Sequence, residues 1–365
     1  MILKIKKYKV TAFNKFSLNL NFNGIASTFS FLFYLSPDNE LHKELAHVGH
    51  YHKCTVEHNG EVILTGRLIS KKFKSNGQTH LMQVSGYSLS GVLQDSSIPI
   101  ESFPLQSDGL SLKEIANKLT NPFGITAIIG STGTSIVKKE KSFIEKGQEL
   151  VDDVMSSVIG KTEADIGSSP AEYLGKLASE RNLVLTSTAG GNILFTRGAR
   201  GKAPILDFEP STPAIEYDLD FNGQAMHSDI TVVKEPDADG GNAGQSTVKN
   251  PFVPFTFRPK VIVQSSGTDI DTLAAAKTAR ASELSALKLK IKLSRWDDIF
   301  GKLIKPNNII TIRNPELSIF EKSKFFIESV NITEDQQNGQ MSTLNCVVPA
   351  VYDGSEPVYI FEEIE

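Results

Sequence analysis

Leu18-Asn19-Leu20-Asn21-Phe22 and, shortly after, Phe29-Ser30-Phe31-Leu32-Phe33 alternate apolar and polar side chains with period two. Successive side chains of an extended strand point to opposite faces, so this spacing puts one face on a core and the other outside. Val62 to Ile69 and Leu81 to Val84 continue the pattern with β-branched and aromatic residues. Residues 1–100 are therefore expected to be all-β. At Ser111-Leu112-Lys113-Glu114 the rule changes: a capping box precedes Ile115, Ala116 and Leu119 at helical spacing, and Asn121-Pro122-Phe123-Gly124 ends the helix. Thr126 to Ile129 returns to strand character, and Gln148 to Ile159 carries Leu150, Val151, Val154 and Val158 at helical spacing. Ser169-Pro170 sets a capping residue before a proline at the first helical position, with Tyr173, Leu174 and Leu177 as the apolar face. Leu183 to Thr186 and Ile193 to Thr196 then flank Ala189-Gly190-Gly191-Asn192, a hairpin signal with glycines able to take positive φ.

Residues 101–205 thus read as an α+β insert, and residues 206–365 as mainly β again. Within the latter, residues 235–253 contain Pro236, Asp237, Asp239, Gly240, Gly241 and Gly244 and are expected to form a mobile loop. Val261 to Gln264 is a strand, and Asp269 caps an expected helix over 269–285 with Leu273, Ala276, Ala281 and Leu284 facing inward. Strand patterns resume at Leu287 and continue through Ile309 to Ile312, Phe325 to Ile332 and Leu344 to Val348. The two β portions share a local order. Ile63 to Ile69, an Asn76-Gly77-Gln78 turn and Leu81 to Val84 match Phe326 to Ile332, Asn338-Gly339-Gln340 and Leu344 to Val347. An internal duplication accounts for this, and so does the recurrence of Asn-Gly turns in any β protein.

Composition bounds the function. At 365 residues the chain exceeds the roughly 250 to 300 at which single cores stop growing, so several domains are expected. With 38 basic and 42 acidic residues the net charge is -4, and no basic run is long enough to neutralise phosphates as a nucleic-acid reader would. The longest apolar run, Phe29 to Leu35, is far short of the roughly 20 residues of a membrane span. The alternating start, Met1 to Lys7, argues against a secretory signal, so the chain is expected to fold in the cytoplasm. Cys54 and Cys346 cannot build a disulfide framework or a thiolate zinc site.

Candidate chemistry is sparse. His42, His47, His50, His52 and His58 fall in one stretch, and His50, His52 and Cys54 would share a strand face where side chains could chelate zinc. Without a second cluster, a solvated strand face is the better reading. Gly130 to Ser135 lacks the Gly-Lys-Ser/Thr ending of a phosphate loop. Asp237-Ala238-Asp239-Gly240-Gly241-Asn242 opens like a calcium loop, but Gly241 and Val248 stand where ligands are needed. Asp152 and Asp153 are adjacent on a helix and point apart, and no Gly-x-Ser-x-Gly elbow exists. No cofactor is expected, and the chain is read as a non-enzyme. Trp296, the only tryptophan, is either a core plug, which is favoured, or a binding anchor.

Two ordered stretches resemble a known family. One runs from Ser169-Pro170-Ala171-Glu172-Tyr173-Leu174 through Glu180-Arg181-Asn182-Leu183 to Gly191-Asn192-Ile193-Leu194-Phe195-Thr196-Arg197; the other holds Trp296, Gly301-Lys302-Leu303, Lys305-Pro306-Asn307, Phe326 to Val330 and Asn338-Gly339. They are similar to the baseplate hub proteins of Mu-like contractile phages and the related late-control D tail proteins. Leu303-Ile304 stands where relatives often carry Leu-Trp, and 144–169 looks expanded. The resemblance implies an α+β, mainly β protein with two tube-type β-barrel domains, 1–100 and 206–365, around the insert. It implies a structural hub subunit forming a homotrimer with pseudo-six-fold symmetry between the tail tube and a tail spike protein. DNA would pass through the ring without specific binding. Assembly in the bacterial host cytoplasm and residence in the virion tail baseplate follow. Trp296, Lys302 and Pro306 are the interface candidates. Rival readings are the hub of a pyocin-like injection particle, a carbohydrate-binding protein and a wall-degrading tail enzyme.

Overall fold

The computed structural model describes residues 1–103, 109–130, 164–179, 181, 183–198, 201–212, 214–234, 244–264 and 272–361. The expected helix over 148–159, the Gly130 to Ser135 loop beyond its first residue, the Asp237 loop and the Asp269 cap lie outside them. The first module contains β1 (Ile2–Ile5), β2 (Tyr8–Val10), β3 (Lys15–Asn21), β4 (Thr28–Tyr34), α1 (Glu40–Ala46), β5 (Lys53–His58), β6 (Glu61–Ser75) and β7 (His80–Ser88). An insert follows with α2 (Val92–Asp95), α3 (Leu112–Thr120), β8 (Ala127–Ile129), α4 (Pro170–Ser179), β9 (Val184–Ser187) and β10 (Ile193–Thr196). Then come β11 (Pro204–Phe208), β12 (Glu216–Phe221), β13 (Asp229–Lys234), β14 (Gln245–Lys249), β15 (Pro259–Gln264) and α5 (Thr272–Glu283). The chain returns through β16 (Leu287–Leu293), β17 (Ile309–Asn314), β18 (Ile319–Asp335), β19 (Gly339–Val347) and α6 (Ala350–Asp353).

The alternation read in the sequence is the alternation of burial. Phe16, Leu18 and Leu20 on β3 and Phe29, Phe31 and Phe33 on β4 are buried, while the residues between them are not. Leu287, Leu289, Ile291 and Leu293 do the same on β16. These strands join one 13-stranded sheet whose main path is β12-β16-β19-β18-β3-β4-β7-β6-β5-β1-β2, with β17 and β11 beside β18.

That path contains the same module twice. In the first, the neighbours run β3-β4-β7-β6-β5; in the second, β12-β16-β19-β18-β17. The registers agree strand by strand. Leu68 pairs with Gly86 before a bulge that makes Ser70 face Ser85; Ile327 pairs with Cys346 before a bulge that makes Ser329 face Asn345. Phe29 opposite Gly86 corresponds to Leu289 opposite Cys346, and Leu18 opposite Phe29 to Leu219 opposite Leu289. Cys54 opposite Gly66 and Val56 opposite Leu64 correspond to Ile310 opposite Phe325 and Ile312 opposite Ser323, and the register shifts after Val56 and after Ile312, though by different numbers of residues. Bulges re-aim a strand at a fixed place and are built features of a fold; the shared bulge after Leu68 and Ile327, with the matching registers around it, marks a repeated unit. The duplication is therefore present, with a corrected register. Ile63 to Ile69 falls on Lys322 to Glu328, four residues from the match suggested by the letters.

The insert has its own core, in which Leu112, Ile115, Ala116 and Leu119 of α3 meet Leu174 and Leu177 of α4 and Phe195 of β10. The capping box is made: Ser111 Oγ accepts from Glu114 N at 3.3 Å and Glu114 Oε2 accepts from Ser111 N at 2.8 Å. The Ser169 hydroxyl accepts from Glu172 N, and β9 and β10 form the expected hairpin, with Gly191 at φ 88°. Leu93 and Ile98 belong to this core rather than to the first module, which ends with β7. Likewise β11, starting at Pro204, already pairs with β17.

Between β12 and β16 the second module carries a smaller layer, β14-β13-β15 with α5 packed on it through Ala276. The expected mobile loop over 235–253 is corrected here: Gln245–Lys249 is a strand antiparallel to β13, anchored by buried Val248. One apolar residue among polar ones suffices for an edge strand when its backbone bonds are satisfied by a neighbour, and composition does not register that.

Candidate assembly interface

The two modules are fused by β3 and the far half of β18. Ser329 pairs with Asn21, Val330 with Leu20, Ile332 with Leu18 and Asp335 with Lys15, antiparallel. β18 can do this because it has 17 residues, and β17 occupies the same edge only as far as Phe326. Val330, Ile332, Leu18 and Leu20 lie in one core spanning both modules. Backbone hydrogen bonds and continuous apolar burial thus hold the seam, with Lys15 and Asp335 3.8 Å apart at its end.

Trp296 locks this seam. It is 3% exposed, its ring meets Phe16 edge-on at 5.2 Å, and its indole N–H donates to the Thr333 carbonyl at 3.1 Å. Phe16 is on β3 and Thr333 on β18, so one side chain touches both halves. The interface candidate Trp296 is therefore a plug and not an exposed anchor. Its large area is used where two strands of different modules meet, and the indole finds the buried partner it requires. Beside it, His58 Nε2 is 2.8 Å from Asp297 Oδ1, and Lys305 Nζ is 2.5 Å from Glu61 Oε1.

Lys302 is exposed at the base of a turn whose tip, Ile299 and Phe300, is 69% and 75% exposed. Asp298 Oδ1 accepts from the Phe300 and Lys302 N–H groups at 2.8 and 3.0 Å, and Gly301 takes φ 72°. The turn is thus preorganised to present an apolar pair, which suits contact with another protein. Sequence reasoning passed over Ile299-Phe300, although an apolar pair between Asp298 and Gly301 was a readable signal. Pro306 is half-buried in a cavity shared with Thr186, Ala189 and Lys202, so it belongs where the insert leans on the second module.

The histidine stretch divides. β5 begins only at Lys53, so His50 and His52 precede it. Cys54 is in the main core, its thiol pushed up to about 12 by burial, and cannot serve as a ligand with them. Glu44 takes that place: it, His50 and His52 offer ligand atoms within 4.8 Å of one another. The Lys6 ammonium is already 2.5 Å from Glu44 and, as its main influence, holds this carboxyl below its ordinary value. Burial lowers His52, against the opposing pull of Glu44. A cation occupying the only carboxylate of this three-ligand set competes with a metal, and His52, at 8% exposure, is buried rather than on a solvated face.

No helix among the described residues is long and apolar enough to cross a membrane. No family model matches the chain. Among curated proteins it is 22% identical over 304 residues to the baseplate hub protein gp44 of Escherichia phage Mu, covering 79% of this chain and 72% of that one. Its fold matches the 43 kDa tail protein of prophage MuSo2 from Shewanella oneidensis at TM-score 0.75 and 20% identity, over 96% of this chain and 99% of the other. A tail protein from Neisseria meningitidis MC58 gives TM-score 0.74 at 17% identity over 96% and 97%. The Escherichia coli c3393 protein, described as a type VI secretion component similar to T4 tail proteins gp27 and gp5, gives 0.51 at 12% over 98% and 80%. The resemblance to the baseplate hub family of Mu-like phages carried by the sequence motifs thus holds in an independent sequence match and in the fold of nearly the whole chain.

Proposed function

We propose that this chain is a structural baseplate hub subunit of a contractile phage or prophage tail, and that three copies close into a ring joining the tail tube to the central spike. The observation that carries this reading is the duplicated module. Two sheet units of equal strand order and register, fused side by side, give three chains six similar units about a true three-fold axis. Such a ring meets a six-fold tube on one side and a three-fold spike on the other. The Ile299-Phe300 turn supplies a preorganised contact for a tail partner. With net charge -4 and no basic run, DNA passes without adhering. The role is mechanical rather than catalytic: in the cleft between α4, α5 and α6, Lys277 and Arg280 are committed to Glu356 at 2.8 and 2.5 Å. The fold likeness to a type VI secretion component favours, as a second reading, the equivalent hub of a pyocin-like injection particle.

Light scattering on purified protein tests the ring. A mass of three times 39.9 kDa is expected as concentration rises. A monomer at every concentration, or peptidoglycan clearing in a zymogram, contradicts the reading.

A further inference from the structure

The two modules use equivalent edges unequally. Inside the chain, the far half of β18 bonds β3. The equivalents of these two segments are residues 70–75 of β6 and the outer edge of β12. Neither has a strand partner there among the described residues: β5 pairs with β6 only as far as Arg67, and β12 ends the sheet path. Unpaired edges of this length invite pairing with another chain.

We infer that β12 of one copy adds to β6 of the next, antiparallel and in the register of the internal seam. The partner is a second copy of this chain, and the inference rests on the hub reading above. The register transfers through the bulge shared after Leu68 and Ile327. Ser329 opposite Asn21 becomes Ser70 opposite Asn222, and Ile332 opposite Leu18 becomes Phe73 opposite Leu219. Lys72 then faces Asp220, Lys74 faces Asp218, and Asn76 faces Glu216. The five charged residues in this set are all exposed in the single chain. The internal seam has neutral pairs at the first two positions, Asn331 with Asn19 and Thr333 with Ser17. At these two positions opposite charge is therefore confined to the seam between copies, whereas the internal seam carries its opposite pair, Lys15 with Asp335, at the third.

The other face of the same seam is apolar. Phe73 is 46% exposed and Phe221 44%. Beside β12 lies a groove of about 670 Å³ lined by Leu219, Phe221, Phe252, Phe320 and Phe361, which Phe73 enters at the place Ile332 holds in the internal seam. Lys71, opposite Phe221, lays its stem over that ring while its ammonium bonds the carbonyls of His47 and His50.

Charge also rejects the wrong pairings. Two β6 edges would set lysines against lysines, and two β12 edges aspartates against aspartates, each costing stability. Only the unlike pairing remains, which is head-to-tail and propagates around a ring. On its inner side the acidic row faces Lys288, Lys290 and Lys292, of which only Lys292 comes within 4.0 Å, at 3.9 Å from Glu216. The aspartates are thus free to take a second cation row.

Three variants of the full chain test the seam by light scattering at several concentrations and by circular dichroism. K72E/K74E and D218K/D220K should each weaken ring formation by roughly tenfold or more per seam, with unchanged spectra. K72E/K74E/D218K/D220K, with both rows reversed, should restore it. Wild-type-like trimers from both double variants, or no recovery in the quadruple variant, overturn the seam and leave a trimeric hub standing. A wild-type chain that never leaves the monomer overturns the hub reading along with it.

Discussion

Replacing Trp296 by alanine removes the side chain that touches both modules, so it measures how far they are one body. The indole is buried, packs edge-on against Phe16 and donates to the Thr333 carbonyl. Truncating a buried aromatic to alanine costs about 3 to 5 kcal/mol through lost transfer energy and the cavity left behind. The ring pair accounts for about 0.5 to 1.5 of that, and the stranded carbonyl adds cost wherever water cannot reach it. A loss of about 4 kcal/mol is a large part of the roughly 5 to 15 that a folded domain holds. With a urea dependence near 3 kcal/mol/M, the upper part of the usual range for a small domain, the unfolding midpoint should drop by about 1 M or more. Trp296→Phe keeps a six-membered ring against Phe16 but loses the N–H and the fused five-membered ring, so its drop should be smaller than that of Trp296→Ala. The assay is urea unfolding followed by far-ultraviolet circular dichroism. A midpoint for Trp296→Ala within about 0.2 M of wild type, the scale of a surface substitution, would refute the plug and return Trp296 to the role of an external anchor.

Burial pushes both thiols up, Cys54 to about 12, so neither should react with a thiol reagent at pH 8 until the sheet unfolds; rapid labelling of native protein would contradict the core placement. His52 is lowered chiefly by burial, so the fold favours its neutral form, and the stability this gives is full above the ordinary value of 6.5 and lost as pH falls through the lower folded value. The urea midpoint should therefore fall on acidification below pH 6.5, and His52→Gln should flatten that decline; an unchanged slope in the variant refutes the assignment. Ser111→Ala removes the hydroxyl of the capping box and should cost about 1 kcal/mol, seen as faster amide exchange across Leu112–Thr120, whereas unchanged exchange would mean the cap contributes nothing.

How much was legible in the sequence depended on the range of the physics involved. Alternation at Phe16 to Phe33 reports a one-sided strand locally, and those strands formed. Capping at Ser111 and Ser169 depends on neighbours three residues away, and both helices began there. The duplication was visible in its turns, but its register was not, because bulges at Ile69 and Glu328 shift the pairing without marking the letters. The site was less legible than the fold. Whether Trp296 plugs or protrudes depends on Phe16 and Thr333, residues remote in sequence, and the exchange of Cys54 for Glu44 beside His50 and His52 depends on where β5 begins. The acidic face of β12 and the lysines of β6 read separately as solvated strand faces. Only the internal seam shows that they occupy equivalent edges.

The central claim is that two like modules per chain alternate around a three-fold ring. Cryo-electron microscopy of the purified particle tests it most directly. The account predicts a six-lobed ring with true three-fold symmetry, first and second modules alternating, and β6 of each copy continuous with β12 of the next. A two-fold dimer, or a ring in which like modules touch like, would contradict it.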